Sequence, residues 1–130
     1  MDNTSGQAAR AILRQLRAAE PNVQALAWVT REGQVVTALF EQGNHDRVGA
    51  MSASLLALSA AASREVALGP LRQVILNGSE GTMLLTAAGQ EHVLLIAADD
   101  GINLGRLLVH AHRISNELAA LEQAMGCQPA

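Results

Sequence analysis

The segment Val93 to Ala98 has no polar side, because Val93, Leu95 and Ala97 alternate with Leu94, Ile96 and Ala98. Successive side chains of a strand point to opposite faces, so a strand built here is apolar on both faces and needs cover on both. Two further apolar runs precede it, Leu71 to Asn77 and Thr82 to Ala87, the first ended by Gly78-Ser79-Glu80-Gly81 and the second by Ala88-Gly89-Gln90. Such short links join neighbours in an antiparallel meander whose last strand runs from Glu91 to Ala98.

Upstream, Val23 to Thr30 and Val35 to Phe40 are apolar and partly β-branched, and Arg31-Glu32-Gly33-Gln34 supplies the glycine of a tight turn, which predicts a β-hairpin. Three helices supply the cover. In the first, Thr4 or Ser5 is a candidate cap, Ala9, Ile12, Leu13 and Leu16 recur at helical spacing, and Pro21 is the stop. The second starts with Asp46 as cap after the polar loop Glu41 to His45 and runs to about Leu68, before Gly69-Pro70. The third follows the loop Asp99-Asp100-Gly101-Ile102-Asn103, where the paired acids suit capping and the helix dipole; Leu104, Leu107, Leu108, Ala111, Ile114, Leu118, Leu121 and Met125 mark its apolar stripe. The expected fold is an α/β (α+β) sandwich of three layers around a five-stranded antiparallel sheet. Its order is helix-strand-strand-helix-strand-strand-strand-helix, with the second helix on one face and the other two on the opposite face. A chain of 130 residues, 49% hydrophobic and 16% charged, suits one domain over 1–130, with a core from about residue 7 to 121 and short flexible ends.

All nine basic residues are Arg. Without Lys there is no Walker A loop, no Schiff-base enzyme and no kinase built on an ammonium at the phosphates. Unclustered charges, a formal net charge of −3, one Trp, one Phe and no Tyr argue against nucleic acid as a partner. The lone Cys127 excludes an intrachain disulfide and reads as a tail residue. The polar start Met1 to Ser5 is no secretory signal, and the charge-free run between Arg47 and Arg64 is too short and too serine-rich to span a bilayer, so a cytoplasmic location without membrane insertion is expected. His110 and His112 lie two apart on a helix and cannot grip one metal; His45 and His92 read as surface residues. No Gly-x-Ser-x-Gly elbow occurs, and Gly78 and Gly81 lack the strand-to-helix setting of a phosphate cradle. No catalytic, cofactor or metal residue is named, and no enzyme is expected.

The second helix has two sides. Val48, Met51, Leu55, Leu58 and Val66 gather with Ala62 on one, which is expected to meet the sheet. Gly49, Ala53, Leu56, Ala57 and Ala60 then form a smooth outer side without charge until Arg64, the kind of patch that marks a partner and lets a second helix approach closely.

In the order of its elements and its local wording the chain resembles the Roadblock family, the dynein-light-chain-related domains that in bacteria accompany small Ras-like GTPases. The similar stretches are Ala25 to Val36, the small-residue helix, Arg72 to Leu76, Gly81 to Gly89 and Leu94 to Asp99, within about residues 7 to 121. The resemblance implies a profilin-like fold and a homodimer in which the second helix packs on its twin and the third strand pairs with its twin. The expected interface is Gly49, Ala53, Leu56, Ala57, Ala60, Arg64, Gln73, Val74 and Ile75. It also implies a scaffold for a small Ras-like GTPase, with Arg47 as the local contact candidate, and, since similar proteins in actinobacteria accompany a GTPase and a sensor-kinase-like protein, a sensor-kinase-like protein as a further candidate partner. The gliding-motility member of the family stimulates GTP hydrolysis by its partner, but the short tail after Met125 departs from it, so scaffold binding is the safer expectation. The competing expectation is a small-molecule sensor of similar fold, which would need a pocket with convergent polar groups.

Overall fold

The computed structural model describes residues 3–40 and 43–126. Its elements are α1 (Asn3–Ala19), β1 (Val23–Thr30), β2 (Val35–Leu39), α2 (His45–Glu65), β3 (Gln73–Gly78), β4 (Gly81–Ala87), β5 (His92–Asp99) and α3 (Leu104–Gly126). The five strands form one sheet in the order β2-β1-β5-β4-β3, and every neighbouring pair is antiparallel. The doubly apolar strand β5 takes the central place, as its composition requires. Cys127 lies outside the described residues.

The two faces of the sheet carry separate cores. Leu26, Trp28, Leu84, Leu94 and Ile96 pack with Leu13 and Leu16 of α1 and with Leu107, Ile114 and Leu118 of α3. On the other face Ala27, Val29, Leu85, Val93 and Leu95 meet Val48, Leu55 and Leu56 of α2. The three-layer arrangement expected from the sequence is the one observed. No helix among the described residues is long and apolar enough to cross a membrane.

The β1–β2 turn places Gly33 at φ 102°, in the left-handed region that glycine enters without steric cost, and the turn closes through Thr30, whose Oγ1 accepts from the Gln34 amide at 3.0 Å. Three caps differ from expectation. Thr4 and Ser5 lie inside α1 rather than before it. Asn44, not Asp46, caps α2, its Oδ1 accepting from the Arg47 amide at 3.0 Å. Asn103, not Asp99 or Asp100, caps α3, accepting from the Arg106 amide at 3.0 Å, while Asp99 Oδ1 accepts from the Gly101 amide and from Asn22 Nδ2. Asn and Asp serve equally well as caps, so the choice falls to whichever side chain the chain direction presents.

α2 also ends earlier than Gly69-Pro70. The Leu68 amide reaches back to the Ser63 carbonyl at 2.8 Å with Ala67 at φ 59°, so the terminal left-handed position is held by an alanine.

Candidate functional site

The seat of α2 on the sheet is set by small side chains. Gly49, Ser52 and Ser63 are the buried residues of this helix, with Leu56 half-buried beside them. A Cβ on Gly49 would collide with the carbonyl oxygen of Gly33 and meet Val35, so the missing side chain lets the hairpin turn rest on the first turn of α2. The buried serines satisfy themselves locally: Ser52 Oγ donates to the Val48 carbonyl at 2.8 Å and Ser63 Oγ to that of Gly69 at 2.7 Å.

This seating corrects the expected orientation of α2. Val48 and Leu55 do touch the sheet, but Met51 is 61% exposed, Leu58 70% and Val66 64%. Gly49 and Leu56, expected on the outer side, face the sheet instead. The helix is turned by roughly a quarter of a revolution, because the smooth side permits the closest approach to the sheet. Ala53 and Ala60 are half-buried, while Ala57 and Arg64 are exposed. The outer face now runs through Ala50, Met51, Ser54, Ala57, Leu58 and Ala61, without a charge between Arg47 and Arg64.

α2 lies over β1 and β2 and leaves the β3 side of that face open. Between them runs a groove of about 540 Å³ lined by Val48, Met51, Leu55, Leu76, Met83 and Leu95, with Ser52 and Ser54 as its polar residues. β3 forms the rim, and its outer edge has no strand partner among the described residues. Within it Val74 is half-buried, whereas Gln73, Ile75 and Leu76 are exposed. Pairing of Val74 with Leu85 and of Leu76 with Met83 puts Val74 and Leu76 on the α2 face; Ile75, opposite Leu84, points to the other face. Arg47 is exposed on the first turn of α2 and makes no ion pair among the described residues.

Two polar clusters add to the residues named from the sequence. Glu20, fully buried where α1 turns into β1, accepts from Arg106 Nε at 2.6 Å and Nη2 at 3.1 Å, with His110 Nε2 at 3.4 Å. The Arg106 hydrogen bond holds the carboxyl below its ordinary value against the opposing push of burial. The second cluster overturns the reading of His92 as a surface residue: it is buried, stacked on Trp28 with centroids 4.2 Å apart. Its Nδ1 donates to Glu122 Oε2, and the same carboxylate accepts from the Gln90 amide at 2.7 Å and the Glu91 amide at 3.0 Å. Burial pushes the Glu122 carboxyl up, but these three donors outweigh it and the net direction is down. The signal for His92 was its alternation with Leu94 and Ile96, which places it on the core face. His110 and His112 show no shared ligand geometry, and no group of His, Cys, Asp or Glu among the described residues is placed to hold a metal ion.

A chain with this fold, an open β3 edge and a bare helix has clear relatives. The structure of gliding protein MglB from Thermus thermophilus superposes with a TM-score of 0.86 at 16% identity, covering 95% of each chain. A Roadblock/LC7 domain from Streptomyces avermitilis gives 0.80 at 16% identity, over 86% of this chain and 95% of that one. An uncharacterized protein of Methanocaldococcus jannaschii is 30% identical over 95 residues, which is 72% of this chain and 79% of that protein. The model of the Roadblock/LC7 domain matches residues 11–98. This chain therefore belongs to the Roadblock/LC7 family.

Proposed function

We propose that this chain is a non-catalytic homodimeric regulator or scaffold that binds a small Ras-like GTPase. The observation that carries the dimer is the continuity of three open features: the uncharged outer face of α2, the apolar groove beside it and the unpaired β3 edge. An open strand edge is a template for pairing, and a two-fold axis lets the same patch meet itself. A second copy crossing at α2 and adding its β3 would cover Met51, Leu58, Leu76 and Met83 together. In that arrangement Ala57 and Arg64 on the helix, and Gln73 and Ile75 on the strand, would join the contact, while Gly49 and Leu56 would contribute only by seating the helix.

The GTPase part of the proposal rests on family membership and on the MglB fold likeness, with a solved MglB described in a tetrameric arrangement. The exposed Arg47 guanidinium on the first turn of α2 is able to grip a carboxylate of the GTPase through two parallel hydrogen bonds. Titrating the protein against a Ras-like GTPase from the same genome, in both nucleotide states, tests this. Binding in either state supports it. Absence of binding to any such GTPase moves the weight to a small-molecule sensor.

A further inference from the structure

The carboxylate of Glu122, near the C-terminal end of α3, does more than fasten its own helix. Both of its oxygens are committed to the β4–β5 turn, through the Gln90 and Glu91 amides and the buried His92 ring. Gly89 in that turn has φ 119°, and a Cβ there would strike the Glu122 carboxylate, so the turn is shaped to receive it. The same turn is tied to the β1–β2 hairpin: the Arg31 amide donates to the Glu91 carbonyl at 3.1 Å and Arg31 Nε to the Gln90 carbonyl at 2.7 Å. The hairpin in turn rests, through Gly33, on Gly49 in the first turns of α2.

We propose that Glu122 is a positioning residue for the N-terminal end of α2, acting through Gln90, Arg31 and Gly33. The contacts form an unbroken physical path from α3 to the helix end that carries Arg47: hydrogen bonds from Glu122 to the β4–β5 turn and from that turn to Arg31, the covalent hairpin turn from Arg31 to Gly33, and the close backbone contact of Gly33 with Gly49. Its role for partner binding rests on the GTPase reading above, but the path itself is a property of the isolated protein. Linkage makes the coupling reciprocal, so a partner that binds the α2 end more tightly when Glu122 is engaged tightens the Glu122 clamp by the same free energy.

Amide hydrogen exchange on the free protein tests the path. Glu122→Gln removes the charge while keeping the shape. It is expected to speed exchange of the Gln90 and Glu91 amides at least about tenfold, as befits losing hydrogen bonds to a charged acceptor, and to speed the Gly33 and Val48 amides with them. Arg31→Ala is expected to speed the Gly33 and Val48 amides as much as Glu122→Gln does, with a smaller effect at Gln90 and Glu91, and the double variant to add nothing further at Gly33 and Val48, the mark of residues acting in series. Acceleration confined to Gln90 and Glu91 would overturn the proposal. So would a uniform rise that includes the core of α1 at Leu13 and Leu16, which would reveal a general loss of stability. Adding a GTPase that binds the wild type should slow the Gln90 and Glu91 amides, and unchanged exchange there would also overturn it. If no GTPase binds, the reading of function fails while the exchange pattern in the free protein still decides the path.

Discussion

Gly33 and Gly49 meet backbone to backbone, with the carbonyl oxygen of Gly33 in the space a Cβ of Gly49 would need. The contact seats the hairpin turn on α2 and fixes how that helix is rotated. Gly49→Ala must push the turn and the helix apart, and overpacking of this kind costs about 1–3 kcal/mol. Urea denaturation of the variant should show that loss as a lowered midpoint; an unchanged midpoint would show that the contact is slack.

Ala67 occupies the left-handed position that ends α2, where glycine is the usual occupant. An L-residue there costs roughly 1–2 kcal/mol, partly offset by the greater freedom that a glycine adds to the unfolded chain. Ala67→Gly is therefore expected to raise stability by about 0.5–1 kcal/mol, read as an increase in the thermal midpoint.

Acid should weaken the fold through two carboxylates. Glu20 and Glu122 both titrate below their ordinary value of 4.5 when folded, so the stability they contribute is full above that value. It is lost as the pH falls through their folded range. Glu20→Gln is expected to be less stable than wild type near neutrality and to lose less on acidification. Urea midpoints measured from about pH 7 to about pH 3 give the comparison, and parallel curves for the two proteins would exclude Glu20 as a source of the acid sensitivity.

Arg47→Ala is expected to weaken GTPase binding by about 1–3 kcal/mol, the scale of a hydrogen bond to a charged group. Its dimer mass and thermal midpoint should stay unchanged, because the side chain is exposed and makes no ion pair among the described residues. Equal affinities of variant and wild type would remove Arg47 from the contact.

Much of the fold was legible because backbone demands are written locally. Val93 to Ala98 announced a strand covered on both sides, Gly33 a tight turn, and the stripe from Leu107 to Leu118 a helix packed on the sheet. The candidate surface was only half legible. Periodicity separates the two sides of α2 but not which one faces inward: side-chain size alone argues for Met51 and Leu58 against the sheet, whereas the bare Gly49 lets the hairpin turn rest on the helix and Met51 and Leu58 turn outward. Serine looks polar in a sequence, yet Ser52 and Ser63 are buried because each hydroxyl finds a nearby carbonyl. Glu20 and His92 were missed for a related reason. Their partners, Arg106 and Glu122, lie far along the chain, and no local pattern records a pairing made by the fold.

The dimer is the claim on which the GTPase proposal stands, and its mass is the direct test. Light scattering on the purified protein at micromolar concentration is expected to report twice the 13.6 kDa chain mass. Leu58→Glu or Ala57→Glu, which would bury like charges against their own copies across the two-fold axis, should reduce it to a single chain with the helical signal intact. A wild type that scatters as a 13.6 kDa monomer would contradict the account.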